Sequence, residues 1–104
     1  MTEKKKLPQG LRRETLAVRT ALPASQWGEN SEALYLTSGF VQPDAETSAR
    51  RFANPQEGYT YGRTSNPTVT SFEQRLAAME GTAAAIGTAT GMAEILLLGM
   101  GGLR

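Results

Sequence analysis

The chain has 104 residues, a net charge of +1 and a mean hydropathy of −0.35, which gives room for one domain and not two. It contains neither cysteine nor histidine, so disulfides, thiolate chemistry, Cys-ligated metal and the commonest general base are all excluded. Alanine supplies 14 of the apolar residues, and Leu, Ile, Val and Phe together only 19, so any core is thin.

Residues 1–14 read as a basic mobile tail. Lys4, Lys5, Lys6, Arg12 and Arg13 cluster there, Pro8 and Gly10 interrupt, and no apolar run of signal-peptide length follows. No aromatics are interleaved with these charges, which favours a solvated tail over a nucleic-acid contact. With no secretory signal, the cytoplasm is the default compartment. Thr15–Arg19 suits a short helical turn limited by Pro23. Trp27, in the loop of residues 25–31, reads as a packing anchor.

Ala33 to Val41 suits a half-buried extended segment, with Leu34 and Leu36 on one face, Tyr35 on the other and a bend at Gly39. Asp44 is placed to cap a helix whose Ala45, Ala49 and Phe52 share a face and which ends near Asn54-Pro55. Arg50 and Arg51 near its end read as dipole compensation and solvation. Asn66 then caps the best-specified helix, with Pro67 at its first position. Val69, Phe72, Leu76 and Met79 form one apolar stripe expected to face a core, and Gly81 stands where a left-handed cap belongs.

Thr82 to Ala89 is small and uncharged. It fits a strand buried on both faces, as in parallel sheets, although its alanines leave a helix open. Thr90-Gly91-Met92 opens a second helix carrying Ile95, Leu96 and Leu98. A membrane hairpin over residues 82–103 is a minor alternative, opposed by Glu94 and by the abundant Gly, Ala and Thr. A lone parallel-type strand lacks partners for its backbone, so the sequence reads as the front of something larger.

Two features suit a phosphate. Arg63 can grip one bidentately and the phenol of Tyr61 can add a third bond, although an arginine on a loop is by itself more often a surface residue. The backbone N–H groups of Gly91 and Met92, at a helix start behind Thr90, suit an anion, although glycine is common in such turns. No metal-ligating set and no catalytic residue is apparent.

These pieces together resemble the Cys/Met-metabolism family of pyridoxal-phosphate enzymes. The resemblance rests on Glu14–Arg19, Ser31–Ser38, Tyr59-x-Tyr61-Gly62-Arg63-x-x-Asn66-Pro67-Thr68 and Ala89-Thr90-Gly91-Met92-Ala93, and spans Glu14 to Leu98. Within the family, the first two pieces look most like the sulfhydrylase branch that acts on succinylhomoserine.

The resemblance implies an α/β fold like that of aspartate aminotransferase, with a mixed, mostly parallel sheet. Residues 15–65 would be an extended arm contacting a neighbouring subunit, and residues 66–104 the start of the cofactor-binding large domain. It implies pyridoxal phosphate as cofactor. Tyr61 and Arg63 would reach the cofactor phosphate of the neighbour, and Gly91 and Met92 that of their own subunit. Thr90 stands where serine is usual and keeps the hydroxyl. It further implies a homotetramer with sites shared across a dimer interface, and replacement of the γ-substituent of an acylhomoserine by sulfide in methionine biosynthesis. The family's cofactor-holding lysine has no counterpart here, because the only lysines are Lys4, Lys5 and Lys6. The expectation is therefore an N-terminal fragment inactive alone. The alternative is a non-catalytic module that docks on full-length subunits. Neither reading involves nucleic acid or a membrane.

Overall fold

The computed structural model describes residues 7–20 and 24–102; the basic run Lys4–Lys6 and the Pro23 break lie outside them. The described residues form helix α1 (Arg13–Arg19), helix α2 (Ala45–Ala53), a 3-10 turn (Pro55–Glu57), helix α3 (Pro67–Glu80) and helix α4 (Gly91–Gly101). The one sheet-like pairing among them is an antiparallel bridge between Gly39 and Tyr61.

The expected α/β fold is therefore corrected: the described chain is helical and carries no sheet. A strand persists only where a neighbour completes its ladder, and residues 82–90 find other partners. The N–H of Gly87 donates to Glu73 Oε2 at 2.6 Å, and the N–H of Thr82 to Ala77 O at 3.0 Å. The hydroxyls of Thr82 and Thr88 donate to Ala84 O and Thr90 O at 3.2 and 2.9 Å. The segment runs irregularly back along α3, with Gly87 against the Phe72 ring.

Local signals set the helix ends. Asp44 Oδ1 accepts from Thr47 N–H at 2.6 Å to start α2. Asn66 Oδ1 accepts from Thr68 N–H at 2.8 Å to start α3, and Gly81, at φ 68°, closes it in the left-handed region. Thr90 Oγ1 accepts from Ala93 N–H at 3.2 Å to start α4. α1 begins at Arg13, inside the stretch read as a tail.

At seven residues α1 is too short to persist alone, and it packs on α3. Arg75 of α3 makes the junction. Its Nε donates to Thr20 O at 2.5 Å, and its Nη2 to Val18 O at 3.2 Å and Glu32 Oε2 at 2.6 Å. The outer pair of Arg13 with Glu80, at 2.9 Å, is exposed on both sides and adds little.

The interior is small and partly polar: Pro67, Ser71, Ala77 and Asn66 are its buried residues. α3 buries the side carrying Pro67, Ser71 and Ala77, and leaves the apolar ridge Val69–Phe72–Leu76 open. The stripe was expected to face a core; only Met79 at its end is half-buried. Trp27, expected as an anchor, is 82% exposed. In the segment of residues 33–41, Tyr35 is better covered than Leu34 or Leu36. On α2 the half-covered side carries Thr47, Ser48 and Arg51, while Ala45, Ala49 and Phe52 face out. α4 exposes Ile95, Leu96, Leu97 and Leu98 on every side. At 11 residues α4 is too short to cross a membrane, and no helix among the described residues is long and apolar enough to do so.

Candidate functional site

The Tyr61–Arg63 pair sits on a tight turn held from both sides. The N–H of Gly62 donates to Ser38 O at 2.6 Å and the N–H of Phe40 to Thr60 O at 3.3 Å, joining the turn to the segment of residues 38–40. Tyr61 O accepts from the N–H groups of Thr64 and Ser65 at 3.0 and 3.1 Å. A Cβ at Gly62 would meet the carbonyl oxygen of Thr37 at 3.0 Å, so the close approach of the two segments asks for glycine there. Behind the turn, Tyr59 packs on the ring of Phe40 with centroids 5.6 Å apart, and its hydroxyl is 3.3 Å from Thr70 Oγ1. Tyr59 is thus a support for the pair.

The guanidinium carbon of Arg63 lies 5.3 Å from the Tyr61 ring centroid, a cation–π contact that keeps the two side chains together in solvent. Among the described residues, Arg63 has no hydrogen bond or ion pair and the Tyr61 hydroxyl has no partner. By contrast Arg13, Arg50 and Arg75 are each paired with a carboxylate, and Arg51 donates to Gln42 Oε1 at 2.7 Å. Arg50 and Arg51 thereby do more than solvate the end of α2: Gln42, held by Arg51, ties Phe40 O to Tyr59 O through its Nε2.

Tyr61, Gly62 and Arg63 line an open groove of about 350 Å³. Its other walls are Tyr35 to Ser38 and the start of α3, with Asn66, Thr68 and Val69. The lining holds one cation and no acid. Thr37, Ser38, Asn66 and Thr68 were not foreseen as groove residues. Asn66 and Thr68 carried a usable signal, because a capping asparagine has an amide N–H₂ left over and the threonine after Pro67 a free hydroxyl.

The second predicted set, Thr90, Gly91 and Met92, lies at the start of α4 and is absent from the groove lining. Among the described residues, that groove therefore holds the first set without the second. Thr90 Oγ1 is engaged as the cap, which leaves its O–H free to donate. A Cβ at Gly91 would meet nothing within 4 Å, so packing within the chain does not require glycine at that position. The described residues offer no cluster able to hold a metal ion.

Comparison with known proteins decides the family. A family model described as Cys/Met metabolism PLP-dependent enzyme matches residues 14–101. The chain belongs to the Cys/Met-metabolism family of pyridoxal-phosphate-dependent enzymes. It is 43% identical over 102 residues to the O-succinylhomoserine sulfhydrylase of Mycobacterium tuberculosis, covering 93% of this chain and 25% of that protein. It is 46% identical over 92 residues to the O-succinylhomoserine sulfhydrylase of Pseudomonas aeruginosa, covering 88% of this chain and 23% of that protein. An L-methionine gamma-lyase of Fusobacterium nucleatum is 38% identical over 81 residues. The chain thus spans 20–25% of the length of these relatives.

The donor set fits the family's cofactor at its phosphate end. A guanidinium, a phenol and an acid-free groove wall suit a dianion, and so do the N–H groups at the start of α4. Bound pyridoxal phosphate supplies the family with an electron sink. What these residues can contribute is the grip and orientation of its phosphate.

Proposed function

We propose that this chain supplies the phosphate grips of a pyridoxal-phosphate-dependent sulfhydrylase, in which sulfide replaces the γ-substituent of an acylhomoserine such as O-succinylhomoserine and gives homocysteine. In this reading Tyr61 and Arg63 hold the cofactor phosphate of a neighbouring subunit. The N–H groups of Gly91 and Met92, with the Thr90 hydroxyl, hold that of their own subunit. The absence of the second set from this groove is in keeping with service to two different cofactors. The chain has no lysine beyond Lys6, so these 104 residues are expected to bind phosphate without turnover.

The observation that carries the reading is the unengaged Tyr61–Arg63 pair on a groove with no acid. It occurs in a chain 43% and 46% identical to two O-succinylhomoserine sulfhydrylases. The test is a titration with pyridoxine 5′-phosphate against pyridoxine, followed by NMR at Arg63 Nε and the Tyr61 ring. Neither compound has an aldehyde, so the tail lysines stay silent. Saturable shifts with the phosphate ester alone, abolished in Arg63→Ala, are expected. Equal shifts with both compounds, or none, contradict the grip.

A second reading, an interaction module docking on full-length subunits, is favoured by one observation: the ridge Val69–Phe72–Leu76 and the large apolar side chains of α4 lie open. Co-purification with a full-length family member tests it, with loss of capture in Phe72→Glu as the expected outcome.

A further inference from the structure

Asn66 and Thr68 do more than start a helix. A cap needs only one side-chain acceptor, and Asn66 Oδ1 supplies it to Thr68 N–H at 2.8 Å. The rest of both side chains is directed at one residue 31 and 33 positions away. Asn66 Nδ2 donates to Tyr35 O at 2.9 Å, and Thr68 Oγ1 accepts from Tyr35 N–H at 2.8 Å. The backbone of Tyr35 is therefore held at both its donor and its acceptor, as a neighbouring strand would hold it. Asn66 is 7% exposed, and a buried amide is tolerated when both of its ends are bonded.

From Tyr35 the segment runs three residues to Ser38, whose carbonyl receives the N–H of Gly62 at 2.6 Å. Gly62 stands between Tyr61 and Arg63. A continuous path thus leads from the rigid start of α3, through the doubly held Tyr35, to the turn that carries the pair. All of these residues wall the same groove.

We propose that Asn66 and Thr68 are positioning residues for the Tyr61–Arg63 pair: they fix the segment of residues 35–38, and that segment fixes the turn. This rests on reading the pair as a phosphate grip. Thr68 is the position to vary, because valine keeps its shape and removes only the hydroxyl, whereas Asn66→Ala also strips the helix cap.

The test compares Thr68→Val and Thr68→Ser in the full chain by amide hydrogen exchange at Gly62. The N–H of Thr82, bonded at the far end of α3, serves as control. Losing one hydrogen bond of ordinary strength is expected to speed exchange at Gly62 by about five- to tenfold in Thr68→Val, with Thr82 unchanged. Thr68→Ser, which keeps the hydroxyl, is expected to restore the wild-type rate. Affinity for pyridoxine 5′-phosphate is expected to fall in Thr68→Val and to return in Thr68→Ser. Unchanged protection at Gly62, equal acceleration at Thr82, or undiminished affinity in Thr68→Val overturns the proposal. Selective loosening of Gly62 in a chain that does not bind the phosphate ester at all supports the clamp and overturns the phosphate reading instead.

Discussion

Gly62 shows how narrow the tolerance at the candidate grip is. A Cβ there would lie 3.0 Å from Thr37 O and 3.4 Å from Ser38 Cα. Both are backbone atoms, so they cannot swing aside as a flexible side chain would. Gly62→Ala is expected to push the turn off the segment of residues 37–38 and to destabilise the chain by about 1–2 kcal/mol, measured by urea unfolding. The same substitution at Gly91 meets open space and is expected to leave stability nearly unchanged, which makes it the natural control. Of these two glycines, only the one between Tyr61 and Arg63 is demanded by the chain's own packing.

At the scale of elements, the junction of α1, α3 and the loop before Tyr35 depends on the Arg75–Glu32 pair at 2.6 Å. The carboxyl of Glu32 is held below its ordinary value of 4.5, first by its own backbone N–H and then by the bond from Arg75. A carboxyl whose folded pKa is depressed stabilises the fold fully above its unfolded pKa, and that contribution is lost as pH falls through the folded value. Asp44 is shifted in the same direction, chiefly by Thr47 N–H at the start of α2. Stability is therefore expected to hold from neutral pH down to about 4.5 and to decline below it. Glu32→Gln should flatten part of that decline, read by circular dichroism against pH. An acid profile identical to wild type would show that the pair does not carry the junction.

The ends of α2 and α3 were legible in the sequence because Asp44, Asn66-Pro67 and Gly81 act within a few residues of themselves. The irregular course of residues 82–89 was not: a strand was expected there, and a strand depends on a partner that composition cannot supply. The stripe Val69–Phe72–Leu76 was read correctly as a pattern and wrongly as buried: periodicity states which face needs covering, not what covers it. The same distinction explains Trp27, whose size suggested an anchor and whose ring lies open. At the site, Tyr61 and Arg63 could be read from their spacing and their resemblance to the family. The groove around them could not, since hydrogen bonds to Tyr35 across more than 30 positions in sequence make its walls.

For the whole molecule, the thin interior and the open apolar faces go together. The radius of gyration is 15.7 Å, against roughly 13 Å for a compact domain of this length. Such a chain is suited to completing a larger body, which is where the proposed grip would act. The most direct measurement is complementation. The sulfhydrylase of Pseudomonas aeruginosa, shortened by the quarter that this chain matches, is mixed with the chain and assayed for γ-replacement on O-succinylhomoserine. Activity is expected to return with the wild-type chain and to fall by about tenfold or more with Arg63→Ala, the loss typical of removing a hydrogen bond to a charged group. Full activity with Arg63→Ala, or none with the wild-type chain, would contradict the account.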